Sequence, residues 1–194
     1  RAAALEAVRE RGAVALVSWG TAAALVPGLA AGQLLLPREV RGCRGDRHAI
    51  AADWHARVLA RLQDLAPDSE GRLAHSDEVV TDVRAKARLA GASGAVAVDM
   101  ETAAIADVAA ESGLPLLVVR AVADEAGHRL PPVIASAVDA WGRAHPLRLA
   151  GGLARAPADI IALARLGLAF RRALRSLAAV RHRAGPDLAW GEEP

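Results

Sequence analysis

The chain has 194 residues, a net charge of +2, 53% hydrophobic and only 3% aromatic residues, and one cysteine. That length suffices for one α/β domain with its own core, and the charge balance argues against a nucleic-acid partner. A lone Cys43 excludes an internal disulfide and fits a reducing, cytoplasmic setting. In chain order, residues 1–11 form a short amphipathic helix that Gly12 stops. The run from Gly12 to Pro37 holds no charge, but Gly20, Pro27, Gly28 and Gly32 break it, so it cannot be a spanning helix. It divides into a strand at 13–19, a loop at 20–32 and a strand at 33–37. Residues 38–52 look irregular, and 53–65 carry helical periodicity with Asp53 as N-cap and Pro67 beyond the end. A strand and polar turn at 71–80 precede a helix at 82–91 closed by Gly91. Strand 95–99, helix 101–112 and strand 116–122 then read as a β-α-β unit.

Strands alternating with helices, and apolar on both faces, predict a three-layer αβα arrangement around one covered sheet. The tail differs. From Arg143 to Arg183 nine arginines face one acid, Asp159. Residues 157–180 predict a long helix with Leu163, Leu166, Phe170, Leu174 and Leu177 in one stripe and Arg165, Arg171, Arg172 and Arg175 opposite. This divides the chain into a domain at 1–150 and an Arg-rich helix and tail at 151–194. The bland reading of the basic face is solvation; the functional one is contact with anionic lipid.

Chemistry concentrates where strands end. Asp99, Met100 and Glu101 stand between a strand and a helix, and Asp124 follows the next strand. Ligands of open α/β sheets bind at such ends, so Glu101 and Asp124 open onto one crevice if their strands lie close. Ser76, in "HSDEVV", and Gly20 with Thr21, in "SWGTAAAL", follow other strands. The six histidines are scattered, with no metal-ligand spacing, and no glycine-rich dinucleotide or phosphate loop is present, so no metal and no cofactor is expected. Ser76 lacks the G-x-S-x-G setting of a hydrolase nucleophile.

The stretch "VAVDMETAAIADVAAESGLPLLVVRAVADEA" resembles the nucleoside phosphorylase and nucleosidase superfamily, with its Met-Glu pair, Ala-rich helix and Arg-Ala-x-Ser-Asp strand end. "ALVSWGTAAALVPGLAAGQLLLP" and "HSDEVV" are similar to its glycine loop and base-covering segment, and the likeness covers about residues 1–135. The tail "LARAPADIIALARLGLAFRRAL" is similar to the hopanoid-associated subgroup. The resemblance implies a three-layer αβα fold with a central mixed sheet, homo-oligomers, and adenine release from an adenosyl-hopane. The alternatives are a methylthioadenosine or S-adenosylhomocysteine nucleosidase, and a nucleoside-binding module without turnover.

The implied roles are specific. Glu101 would accept hydrogen bonds from the two ribose hydroxyls, and Met100 would pack on the sugar. Val79, Val80 and Ser76 would border the base, and Gly20 and Thr21 would approach the nucleophile. Asp124 would protonate the leaving purine as general acid. Three departures stand out. Ser18 replaces the arginine with which phosphorolytic relatives hold phosphate, which favours water as nucleophile, with phosphate the alternative. Ala23 and Ala24 replace two glycines, and Ala123 replaces the serine before the acid. The chain starts at Arg1 without Met, so the family's first strand and the acid that activates water are expected upstream.

Overall fold

In the computed structural model, which describes residues 1–43, 45–131 and 159–191, a seven-stranded mixed sheet carries helices. The strands are β1 (Leu16–Ala24), β2 (Leu34–Leu35), β3 (Glu39–Arg41), β4 (Arg47–Ala49), β5 (Arg72–His75), β6 (Ala97–Asp99) and β7 (Leu116–Asp124). The helices are α1 (Ala2–Arg11), α2 (Ala52–Arg61), α3 (Val83–Ser93), α4 (Thr102–Ser112) and α5 (Asp159–Ala184). Spatial order is β2-β7-β1-β6-β5-β3-β4. This is the α/β architecture with a central mixed sheet that the sequence led us to expect.

β7 is the centre. All nine of its residues are buried, because β1 and β2 flank it and helices cover it. Alternation along β1 assigns the two faces. Ser18 turns to Thr102 of α4, whereas Val17 and Trp19 turn to Leu174 and Leu177 of α5. α4 and α5 therefore cover opposite faces. The α5 side of the core takes Ala173, Leu177, Val180 and Ala184. Residues beyond α5 are tied back to α2: Trp54 Nε1 donates to the Leu188 carbonyl at 2.7 Å, and the Trp54 and Trp190 rings meet edge to face at 4.7 Å.

Several sequence expectations need correction. β1 does not stop at Trp19 but runs to Ala24, and it begins at Leu16 rather than Ala13. Gly20 lies within the strand because a Cβ there would come 3.2 Å from Arg120 Nη1, so hydrogen places the strand over that buried guanidinium. Residues 38–52 contain a hairpin, with Glu39 paired to Ala49 and Arg41 to Arg47. α2 starts at Ala52, with Asp53 in its first turn rather than at the cap. α3 passes through Gly91 to end at Gly94, whose φ of 64° closes the helix. The stripe assigned to α5 is also displaced. Leu177 is buried, but Phe170 and Leu174 are about half exposed, at 46% and 48%. The buried face runs instead through small residues, Ala173 and Ala184 among them, which let the helix approach the sheet closely. The expected division at residue 150 falls outside the described residues.

The β-α-β unit differs most. β1 lies between β6 and β7, antiparallel to the first and parallel to the second. β6 and β7 are thus antiparallel to each other and not neighbours. Their ends still meet, because Ala23 of β1 is paired with Val98 on one side and Asp124 on the other. A register shift between Ala22 and Ala23 accompanies this change of partner.

Candidate active site

Beneath the site lies a buried polar knot. Arg120 is 2% exposed. Its Nε donates to Asp99 Oδ2 at 2.6 Å, its Nη2 to Ser18 Oγ at 2.7 Å and Thr102 Oγ1 at 2.6 Å, and its Nη1 to the Val119 carbonyl at 3.2 Å. The Thr102 hydroxyl donates to Asp99 Oδ2, and the Thr102 amide donates to Asp99 Oδ1 at 3.1 Å. Asp99 therefore pairs the guanidinium and caps α4 at once. It is a structural acid, and Ser18 belongs to the same knot rather than to an open surface.

Above the knot is a cavity of about 240 Å³ bordered by Thr21, Ser76, Val79, Val80, Met100, Glu101 and Asp124, with Glu78, Ala123 and Leu130. Of the residues singled out in the sequence, only Gly20 stands apart, turned toward Arg120. Four segments build the wall: the end of β1, the turn after β5, the β6–α4 junction and the end of β7. The turn after β5 is held to β6, since the Ser76 amide donates to the Asp99 carbonyl at 2.9 Å. The Ser76 hydroxyl donates to the Glu78 carbonyl at 2.7 Å, so it serves its own turn.

Of the four carboxylates that border the pocket, Glu78, Asp99, Glu101 and Asp124, Glu101 and Asp124 have opposite surroundings. Glu101 begins α4, is exposed, and its side chain makes no capping hydrogen bond. Asp124 is 7% exposed. Burial pushes its carboxyl above the usual aspartate range, and Lys86 and His128 pull the other way while Glu125 adds to the rise. Lys86 is itself fully buried. Its Nζ donates to Asp124 Oδ2 at 2.6 Å and to the Glu125 and His128 carbonyls, each at 2.9 Å.

Sequence reasoning assigned Lys86 no place in the site. A signal was available: the only lysine of an arginine-rich chain stands three residues from Val83 and from Leu89, on the apolar side of α3. A second cavity, of about 330 Å³, shares Ala123, Asp124 and Leu130 with the first and is closed by Leu166, Leu168 and Ala169 of α5, with Arg165 and Arg172 at its border.

Near Ser76, donor atoms of Cys43, His75 and Asp77 lie within 4.8 Å of one another. Two of these groups are partly engaged, whereas His75 Nδ1 is buried without a hydrogen-bond partner among the described residues. His75 Nε2 lies 3.3 Å from Asp77 Oδ1, and the Cys43 thiol donates to the His75 carbonyl at 3.5 Å. Burial and the Asp77 charge push that thiol's pKa up, which disfavours the thiolate a metal needs.

The phosphorylase superfamily pattern matches residues 1–144. Over 58 residues the chain is 43% identical to the 5′-methylthioadenosine/S-adenosylhomocysteine nucleosidase of Treponema pallidum, a stretch that covers 30% of this chain and 22% of that protein. The Helicobacter pylori enzyme of the same name, with butyl-thio-DADMe-Immucillin-A, superposes with a TM-score of 0.65 at 16% identity, covering 93% of this chain and 73% of that one. A futalosine hydrolase mutant from Helicobacter pylori gives a TM-score of 0.58 at 21% identity, and the match spans 63% of each chain. At these identities the likeness establishes a shared fold.

Proposed function

Because the chain belongs to the phosphorylase superfamily, we propose that its 240 Å³ pocket binds a purine nucleoside and that the protein cleaves the N-glycosidic bond with water. One observation carries this reading: Glu101 and Asp124 border one cavity, the first with a carboxylate unengaged among the described residues and the second with a raised pKa. A carboxylate suits a vicinal diol, since each oxygen accepts one hydroxyl. A buried aspartic acid suits a leaving purine, whose departure leaves a negative charge that a proton neutralises. Met100 packs on the sugar, Val79 and Val80 border the base, and Thr21 faces the nucleophile. Water is favoured over phosphate because Arg120, the guanidinium beneath β1 at Gly20, already spends four N–H bonds on the knot.

Purine release, followed by ultraviolet absorbance, tests this. Asp124→Asn is expected to lower kcat by about 10² to 10⁴, while Glu101→Gln mainly raises KM. Calorimetric binding without release by the wild type would instead identify a nucleoside-binding module.

For the substrate, we carry forward an adenosyl-hopane. The support is the adjoining cavity of about 330 Å³, whose apolar wall gives room beyond a nucleoside. The rival is methylthioadenosine or S-adenosylhomocysteine, supported by the likeness to the Treponema pallidum protein. Relative kcat/KM on the thioether nucleosides and on the hopanyl nucleoside separates the two.

We propose in addition that α5 contacts an anionic lipid surface. Among the described residues no helix is long and apolar enough to cross a membrane. α5 does expose Phe170 and Leu174 beside Arg171 and Arg175. Co-sedimentation with anionic vesicles that falls as salt rises is the expected outcome.

A further inference from the structure

We infer that Lys86 is a positioning residue for the reaction: by holding one oxygen of Asp124 and the loop that follows it, it sets how strong an acid Asp124 is and which oxygen carries the proton. The inference rests on the reading of Asp124 as general acid.

The geometry is unusual for a lysine. Lys86 is 0% exposed and sits on α3, outside the sheet that carries Asp124. An ammonium has three N–H donors. Here all three are spent, on Asp124 Oδ2 at 2.6 Å and on the carbonyls of Glu125 and His128 at 2.9 Å each. Those carbonyls belong to the loop that borders both cavities. A residue needed only to fill space at this position would be aliphatic, since burying an ammonium is costly unless every donor is satisfied.

The arrangement has two chemical consequences. Oδ2 is occupied by a donor that cannot accept, so a proton on Asp124 belongs on Oδ1, which has no hydrogen-bond partner among the described residues. The ammonium also remains beside the carboxylate after that proton has left. As the C1′–N9 bond breaks, its electron pair goes to the purine, and the Asp124 proton moves to a purine nitrogen, so the base leaves neutral. Water bonds to C1′ and releases one proton to solvent, from which Asp124 is recharged. Lys86 stabilises the carboxylate formed in between. Without it, burial would leave a carboxyl that is protonated over a wider pH range but gives up its proton less readily.

Other charges face Asp124. Glu125, His128 and Arg129 lie on its own loop, Glu78, Asp99 and Glu101 border the pocket from the β5 and β6 ends, and Arg165 and Arg172 border the second cavity from α5. A substitution at Lys86 removes none of them, so a difference between variant and wild type reports the lysine alone.

The experiment is the pH dependence of kcat/KM for purine release in wild type, Lys86→Met and Lys86→Arg, with nucleoside affinity measured by calorimetry. In Lys86→Met the loss of activity at high pH is expected to move upward by one pH unit or more. Its plateau rate should fall about tenfold or further, with Kd changed less than about threefold. Lys86→Arg retains a cation and should keep the wild-type limb. If Lys86 merely stabilised the fold, its loss would admit water, and the limb would stay or move down; either outcome overturns the inference. Should Lys86→Met not fold, Lys86→Ala with added ethylammonium serves, and failure of the amine to restore the wild-type limb counts against the proposal. A wild type that releases no purine from any nucleoside overturns the reading of Asp124 and this inference together. An active wild type whose limb is indifferent to Lys86 overturns only this one.

Discussion

At the scale of single residues, ionisable side chains in this protein divide into those that are satisfied and those that are poised. Arg120 is satisfied, with four N–H bonds to Asp99, Ser18, Thr102 and Val119. Removing one partner of a buried pair strands the other, so Arg120→Met is expected to cost about 3–5 kcal/mol in urea unfolding. Asp124 is poised. Its folded pKa lies above its unfolded value because it is buried. The folded state thus holds that proton more tightly, and the group favours folding below its unfolded pKa. That contribution disappears as pH rises from the ordinary aspartate value through the raised one. Thermal melts across this window should show the wild type losing stability relative to Asp124→Asn as pH increases. Parallel curves would mean that Asp124 titrates as if exposed. The motif that pointed to Asp124 and Glu101 was legible without coordinates, because the residue types and their places at strand ends are local facts. The partnership of Asp99 with Arg120 was not, since it joins positions 21 residues apart through a strand order the chain does not spell out.

At the scale of elements, the site depends on how short pieces approach one another. β6 has only three residues, yet it places Asp99 in the knot and Glu101 at the pocket. The approach to it is tight at one glycine. Gly71 precedes β5, and a Cβ there would sit 2.4 Å from Val96 Cγ2. Gly71→Ala must therefore displace the approach to β6, with an expected cost of about 1–3 kcal/mol and a rise in KM from the shifted Glu101. A stability loss without any change in KM would show that β6 absorbs the strain. Periodicity located these elements well where a pattern was long, as in α4 and α5. It failed where glycine and alanine suit both strand and loop, as in β1 beyond Gly20. It also missed the β3–β4 hairpin, in which each strand has only three residues.

At the scale of the whole molecule, α5 packs into the larger of the two buried apolar clusters. Val180 and Leu177 pack in the same cluster as Leu117 and Val119 of β7. Leu177→Ala is expected to cost about 2–5 kcal/mol, in a single transition shared by tryptophan fluorescence and circular dichroism. Two separated transitions would show that α5 melts by itself. The same helix closes the second cavity, so a loosened α5 should also change the preference among nucleosides with different substituents.

The amino-acid sequence by itself determined the class of fold and singled out Glu101 and Asp124, two strand-end acids that border one cavity. These follow from hydrophobic period, turn residues and a motif only a few residues long. Tertiary structure alone decided which acid is structural and which is poised, that Ser18 is buried beneath the pocket, and that Lys86 holds Asp124. Those outcomes depend on burial and on pairing between distant segments. The decisive event is β1 taking β6 antiparallel and β7 parallel at Ala23, because that exchange brings two antiparallel strands to one rim.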